Sequence, residues 1–303
     1  MLEGRPVVHV SGPVPERVRS ALAATFSLVD TPEGAEGVLA LITTTVDDAY
    51  LDRAGQQLRI VANYGVGVDN LDLEALAARS VLVANTPDVL TDTTAELAIA
   101  LTLSLLRRVG EGDRFVRRRR VWEFSLEFML GESLRGKTFG IVGPGRIGRG
   151  TGKLAEAFGA RVAFAGRGDD LAALLQTSDV VSLHCALTPE TYHLIDVAAL
   201  AQMPESAVLV NTARGPIVDE QALAGALRAG SIAGAALDVF EREPEITEAL
   251  LDLENVVLTP HLGSATSQTR EAMGLLAVAA LRSLLIENRE PPNLVRRSRC
   301  SIP

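Results

Sequence analysis

The chain has 303 residues, 47% apolar and 22% charged, enough for two packed domains in place of one small core. Its 38 acidic residues outnumber 29 Lys and Arg, and the formal net charge of -9 excludes a general binder of nucleic acid or acidic membrane, which needs positive potential. Two cysteines without metal-type spacing, Cys185 and Cys300, argue against a disulfide scaffold or a thiolate metal site and suit a reducing compartment.

The opening MLEGRPVVHV lacks the basic start and apolar core of a signal peptide, and no run of about 18 apolar residues could span a bilayer, so a cytoplasmic location is expected. Short β-branched runs then alternate with amphipathic stretches. Strands are predicted at 7–10, 38–42, 60–62, 81–84, 138–142, 162–165, 180–184, 207–211, 234–239 and 256–259. Helices are predicted at 15–25, 71–78 and 219–229, with Asp219 placed to cap the last. Alternating βα with near-continuous apolar strands predicts α/β architecture with doubly wound parallel sheets.

Residues 93–108 read as a long helix, with Glu96 early and Arg107 and Arg108 late, as the helix dipole favours. It divides the chain into residues 1–95 with 268–303, a substrate-binding domain, and 96–267, a larger Rossmann dinucleotide-binding domain. The active site is expected in the cleft between them. Residues 268–288 form another helical pattern that returns the chain to the first domain, and the tail from Pro291 shows no periodicity and reads as irregular.

The strand at 138–142 runs directly into Gly143-Pro144-Gly145-Arg146-Ile147-Gly148. Gly143 permits a tight turn, Gly145 lets backbone approach a pyrophosphate, and Gly148 permits close helix–strand packing. The N–H groups opening the helix at Arg146 and Ile147 are offered to phosphates. An acidic residue usually follows the next strand to bond a ribose 2′-hydroxyl. Here Gly166-Arg167 stands there, which removes a repelling carboxylate and supplies a cation, so NADP(H) is the expected cofactor, with NAD(H) possible. Asp169 and Asp170 act against that preference.

Three polar residues sit just past predicted strands: Arg214 in Asn211-Thr212-Ala213-Arg214-Gly215, Glu243 in Asp238-Val239-Phe240-Glu241-Arg242-Glu243, and His261 in Thr259-Pro260-His261. Ligands of doubly wound sheets bind beyond the strands' carboxyl ends, so these three can meet. An arginine holds a carboxylate and polarises a ketone, a histidine exchanges a proton near neutral pH, and a neighbouring glutamate favours the imidazolium needed for reduction.

With these residues in hand, the chain resembles the D-isomer-specific 2-hydroxyacid dehydrogenases over nearly its whole length. The resemblance rests on Gly65-Val66-Gly67-Val68-Asp69-Asn70, Thr94-Ala95-Glu96, the Gly143 loop, Asn211-Thr212-Ala213-Arg214-Gly215, Leu237-Asp238-Val239-Phe240 and Pro260-His261. It implies that Arg214, Glu243 and His261 are catalytic, and that backbone N–H groups around Val66 and Gly67, with Arg214, bind the substrate carboxylate. It further implies that Asp238 and Thr94 lie at the nicotinamide end, with Thr212, Ala213, His261 and Gly263 among the cofactor contacts. Thr86–Ala98, Ala165-Gly166-Arg167 and Pro260–Thr266 are most similar to glyoxylate/hydroxypyruvate reductases, which often prefer NADPH. The implied reaction is reduction of a small 2-keto acid to the D-2-hydroxy acid, with domain closure excluding water.

Two departures stand out. The segment after Gly166 is short where the family has a further helix and strand, which cuts down the adenine side, and Ala186 replaces a usual proline. Arg117–Arg120 reads as a solvated helix face. The resemblance places this region, with Trp122, at a homodimer interface reaching the partner's active site. Other readings are a phosphoglycerate or other D-2-hydroxyacid dehydrogenase with the same machinery, and a non-catalytic dinucleotide-sensing protein.

Overall fold

Runs without polar alternation become strands covered on both faces. The computed structural model describes residues 4–295, and all its strand ladders between named strands are parallel. The chain divides into two units, Met1–Leu90 with Thr266–Pro303, and Thr91–Ala265.

The first unit begins β1 (Val7–Val10), α1 (Glu16–Thr25), β2 (Ser27–Val29), β3 (Gly37–Leu41) and α2 (Asp48–Ala54). It continues through β4 (Ile60–Tyr64), α3 (Leu73–Ala78) and β5 (Leu82–Ala84), in a sheet ordered β2-β1-β3-β4-β5. Asp47 and Asp72 cap α2 and α3 by accepting from helix amides, which fixes where each helix starts. β2 has three half-buried residues at the sheet edge, too few for a periodicity to announce.

The second unit opens with α4 (Thr91–Leu106) and α5 (Val109–Arg117), then β6 (Thr138–Val142), α6 (Arg146–Ala157), β7 (Arg161–Ala165), α7 (Leu171–Thr177) and β8 (Val180–Leu183). It goes on through α8 (Val197–Leu200), β9 (Val208–Asn211), a 3-10 turn (Gly215–Ile217), α9 (Glu220–Ala229), β10 (Gly234–Leu237), α10 (Glu248–Leu251) and β11 (Val256–Leu258). The sheet order is β11-β10-β9-β8-β6-β7. The order reverses between β6 and β8, the switch point where such sheets bind ligands. Ile99 and Leu106 of α4 pack with Phe139, Ile141, Val180 and Val210 on one face, while Leu183, Leu209, Leu223 and Leu227 belong to the core on the other.

Three expectations change. α4 begins at Thr91 and lies whole in the second unit, so the division falls ahead of the helix and not within its first turn at residue 95. α5 ends at Arg117, so Arg118, Arg119 and Arg120 leave the helix instead of continuing its face, although all are exposed. α11 (Ser267–Leu285) returns the chain to β4 and α1 of the first unit. Beyond it the tail is not irregular at its start: Leu294 bridges Ala84 in antiparallel fashion and Val295 N donates to Val83 O at 2.8 Å, alongside β5. Cys300 lies outside the described residues. Among the described residues no strand lies outside β7, because the short 167–178 segment returns through α7 alone. Among the described residues no helix is long and apolar enough to cross a membrane, and no group of three His, Cys, Asp or Glu could hold a metal.

Candidate active site

The site of the second unit is built from the carboxyl ends of its strands. β6 ends at Val142, and Gly143 turns the chain with φ +93°, where a Cβ would stand 2.5 Å from Cys185 N. That close approach and the left-handed backbone both demand glycine. At Gly148 a Cβ would stand 2.3 Å from Gly143 O, so the third glycine seats α6 against the turn. Gly145, in contrast, would place a Cβ in open space. The protein itself does not need that glycine; without a side chain there, the approach to the N-terminus of α6 stays clear.

Two buried polar atoms near these strand ends lack partners among the described residues: Thr212 Oγ1 and His184 Nδ1. Burial pushes His184 down to about 4, so its ring is neutral, and Nε2 lies 2.9 Å from Ser182 Oγ. The glycine turn at the open N-terminus of α6 fits the pyrophosphate of a dinucleotide. On the edge strand, Gly166 N donates to Asp169 Oδ2 at 2.7 Å and Asp170 caps α7 through Ala173 N at 3.0 Å. Both acids are therefore engaged in local turns, while Arg167 is exposed.

Past β9, buried Asn211 shapes the next loop: its Nδ2 donates to Arg214 O at 2.8 Å and its Oδ1 accepts from Ala213 N at 3.0 Å. Arg214 then opens the 3-10 turn. Past β10, Glu243 Oε1 accepts from Phe240 N at 3.0 Å, and its Oε2 lies 2.8 Å from His261 Nδ1. Burial raises the Glu243 carboxyl, but the His261 hydrogen bond and charge, the Phe240 amide and the Arg214 charge together hold it below its ordinary value. Arg214, Glu243 and His261 thus share one electrostatic neighbourhood.

Asp238 is fully buried, and both of its oxygens are used. Oδ1 accepts from Thr259 Oγ1 at 2.6 Å and Leu262 N at 2.7 Å, and Oδ2 accepts from Gly263 N at 2.8 Å. Gly263 O in turn accepts from Thr94 Oγ1 of α4 at 3.1 Å. Asp238 and Thr94 therefore brace the turn that carries His261, itself at φ +53°. A second histidine–carboxylate pair escaped the sequence reading. His193 Nε2 lies 2.7 Å from Glu241 Oε1, and Glu241 N donates to buried Glu220 Oε1 at 2.5 Å, anchoring the 240–243 turn to the start of α9. The histidine and the two acids are about equally spaced along the chain, with no motif to link them. Val66 and Gly67 belong to the first unit, in the half-buried turn after β4.

The chain is similar to known proteins over nearly its whole length. Residues 99–263 match the family model for the D-isomer specific 2-hydroxyacid dehydrogenase NAD binding domain. A glyoxylate reductase of Thermococcus litoralis is 44% identical over 288 residues, 89% of this chain and 86% of that protein. One of Pyrococcus horikoshii is 42% identical over 98% of this chain and 92% of its own length. Among solved structures, a Thermus thermophilus protein superposes with a TM-score of 0.88 at 40% identity, covering 96% of this chain and 100% of that one. An NADPH-dependent glyoxylate/hydroxypyruvate reductase of Sinorhizobium meliloti, in complex with NADP and malonate, gives 0.87 at 34% identity, covering 96% and 97%.

Proposed function

Because the chain belongs to the D-isomer-specific 2-hydroxyacid dehydrogenases, NAD(P)-dependent oxidoreductases of the CH–OH group, we propose that it reduces glyoxylate-like 2-keto acids to D-2-hydroxy acids. The observation that carries this reading is the Glu243–His261 pair at 2.8 Å, with the Arg214 charge felt at Glu243.

The reduced nicotinamide, when bound, supplies the hydride. Arg214 holds the substrate carboxylate and draws electron density from the ketone, where negative charge develops. The carboxylate also rests on backbone N–H groups at Val66 and Gly67. His261 gives its proton from Nε2 to the nascent alkoxide, because Nδ1 is engaged by Glu243. Glu243 fixes the ring's orientation and stabilises its charged form. Gly143, Gly145, Arg146, Ile147 and Gly148 take the pyrophosphate, with Thr212, Ala213 and Gly263 lining the rest. Asp238 and Thr94 act on the nicotinamide end by holding the 261–263 turn.

A preference for NADP(H) is supported by exposed Arg167 and by the local engagement of Asp169 and Asp170. A homodimer is supported by the apolar surface after α5, where Val121 is 95%, Leu126 85% and Phe124 81% exposed. The deciding experiment follows NADPH and NADH oxidation with glyoxylate, hydroxypyruvate, pyruvate and 3-phosphohydroxypyruvate. Rapid NADPH-linked turnover of the first two is expected. Turnover of 3-phosphohydroxypyruvate alone would make it a phosphoglycerate dehydrogenase, and none with either cofactor would leave a dinucleotide sensor.

A further inference from the structure

The turn after β4 presents amides, and their direction is set by side chains far from it in sequence. Four successive carbonyls are tied to the body of the first unit. Gly65 O accepts from Thr86 N at 3.0 Å, Val66 O from Asn85 Nδ2 at 2.8 Å, Gly67 O from Asn63 Nδ2 at 2.7 Å, and Val68 O from Leu71 N at 3.0 Å. These peptides are trans, and a trans peptide aims its N–H opposite to its C=O. The N–H groups of Val66, Gly67 and Val68 therefore point away from those partners. None of the three donates a hydrogen bond among the described residues, and all three residues are half-buried. Successive amides left without a protein acceptor form a concavity for an anion.

The Asn63 carboxamide is itself held, and so is the backbone that carries Asn85. Asn63 is fully buried, and its Oδ1 accepts from Asn70 Nδ2 at 3.1 Å, an amide that also reaches Thr44 O at 3.0 Å. That contact leaves Nδ2 turned to Gly67. Asn85 N donates to Asn293 O at 3.2 Å, and Asn293 Nδ2 donates back to Asn85 O at 2.6 Å.

We propose that Asn63 and Asn85 are positioning residues that aim the Val66, Gly67 and Val68 amides at the substrate carboxylate, with the Val68 N–H as an added donor. They act through peptide planes and touch no substrate. The inference rests on the reading of this turn as a carboxylate site.

The test compares glyoxylate with its uncharged methyl ester in the parent enzyme, Asn63→Leu and Asn85→Leu, with thermal unfolding as a control. Because Asn63 is buried, Asn85→Ala at the rim serves if Asn63→Leu does not fold. The parent favours the acid over the ester. Each variant raises KM for the acid by roughly ten- to a hundredfold, as loss of an outer-shell hydrogen-bond partner does at metal sites. KM for the cofactor and kcat/KM for the ester stay within about twofold, so acid-over-ester selectivity collapses; a merely structural role would lower both substrates together. Variants that keep the parent's selectivity overturn the proposal and leave the carboxylate reading standing. A parent without that selectivity overturns the carboxylate reading, and the proposal with it.

Discussion

A Cβ placed on Gly215 would stand 1.9 Å from the carbonyl carbon of Phe240 and 2.4 Å from Glu241 N. The loop that presents Arg214 is thus laid directly against the backbone of the turn that presents Glu243. Gly215→Ala must push the two apart. Overpacking of this kind costs about 1–3 kcal/mol, and a displacement near 1 Å at a reacting centre costs on the order of a hundredfold in rate. Urea unfolding and kcat/KM for the keto acid should both fall; retained activity at full stability would mean that Arg214 and Glu243 are held together by other contacts.

Glu243 carries a pH signature. Burial raises its carboxyl, but the His261 hydrogen bond and charge, the Phe240 amide and the Arg214 charge outweigh burial and keep the folded value below the usual 4.5. A folded value lower than the unfolded one gives stability that is present above the unfolded pKa and lost as pH falls through the folded pKa. The stability difference between the parent and Glu243→Gln should stay level from neutral pH to about 5 and shrink as pH falls through the carboxylate range. A difference that stays constant down to the acid limit would show that the carboxylate charge contributes nothing. His261→Asn should lower kcat by about 10²–10⁴, the usual scale of general acid catalysis.

His184 predicts a second acid sensitivity of separate origin. Burial lowers it from 6.5 to about 4, so the unfolded chain takes up a proton in a range where the folded protein does not. Its contribution is fully present above the unfolded value and is lost as pH falls toward and through 4. The loss is at most about 1.4 kcal/mol per pH unit. His184→Gln should flatten the stability profile between 6.5 and 4; an unchanged slope there would assign the acid sensitivity to other groups.

The surface after α5 predicts an assembly. Val121, Phe124 and Leu126 lie almost fully in solvent, and burying one such side chain is worth about 1.5–3 kcal/mol. Light scattering should report a dimer, and the pair of changes Phe124→Ser and Leu126→Ser should release monomers with an unchanged unfolding transition in each subunit. A parent that is monomeric at micromolar concentration would leave this patch without a partner of its own kind.

What could be read in the sequence depended on distance along the chain. The Gly143 loop was legible because strand, turn and helix are contiguous, and so was the Asp219 cap, which acts within one helical turn. Arg214, Glu243 and His261 were legible because each follows an apolar run that had to be a strand. The braces behind them were not. Asp238 serves Leu262 and Gly263, and Glu220 serves Glu241, across loops that no period connects. Leu294 and Val295 looked irregular because two residues joining a sheet edge leave no pattern.

The division of the chain has a consequence for its order of birth. Asn85 and Asn293, which grip each other in the first unit, are 208 residues apart, and Tyr64 and Arg270 are 206 apart. Everything from Thr91 to Ala265 is synthesised between them. On the ribosome the second unit can fold as it emerges, whereas β4 waits for α11 and Asn85 waits for Asn293. The turn after β4 is therefore among the last parts of the protein to acquire its shape, and a chain stalled or cut shortly before Asn293 would have a finished Gly143 turn while Asn85 still lacked its partner.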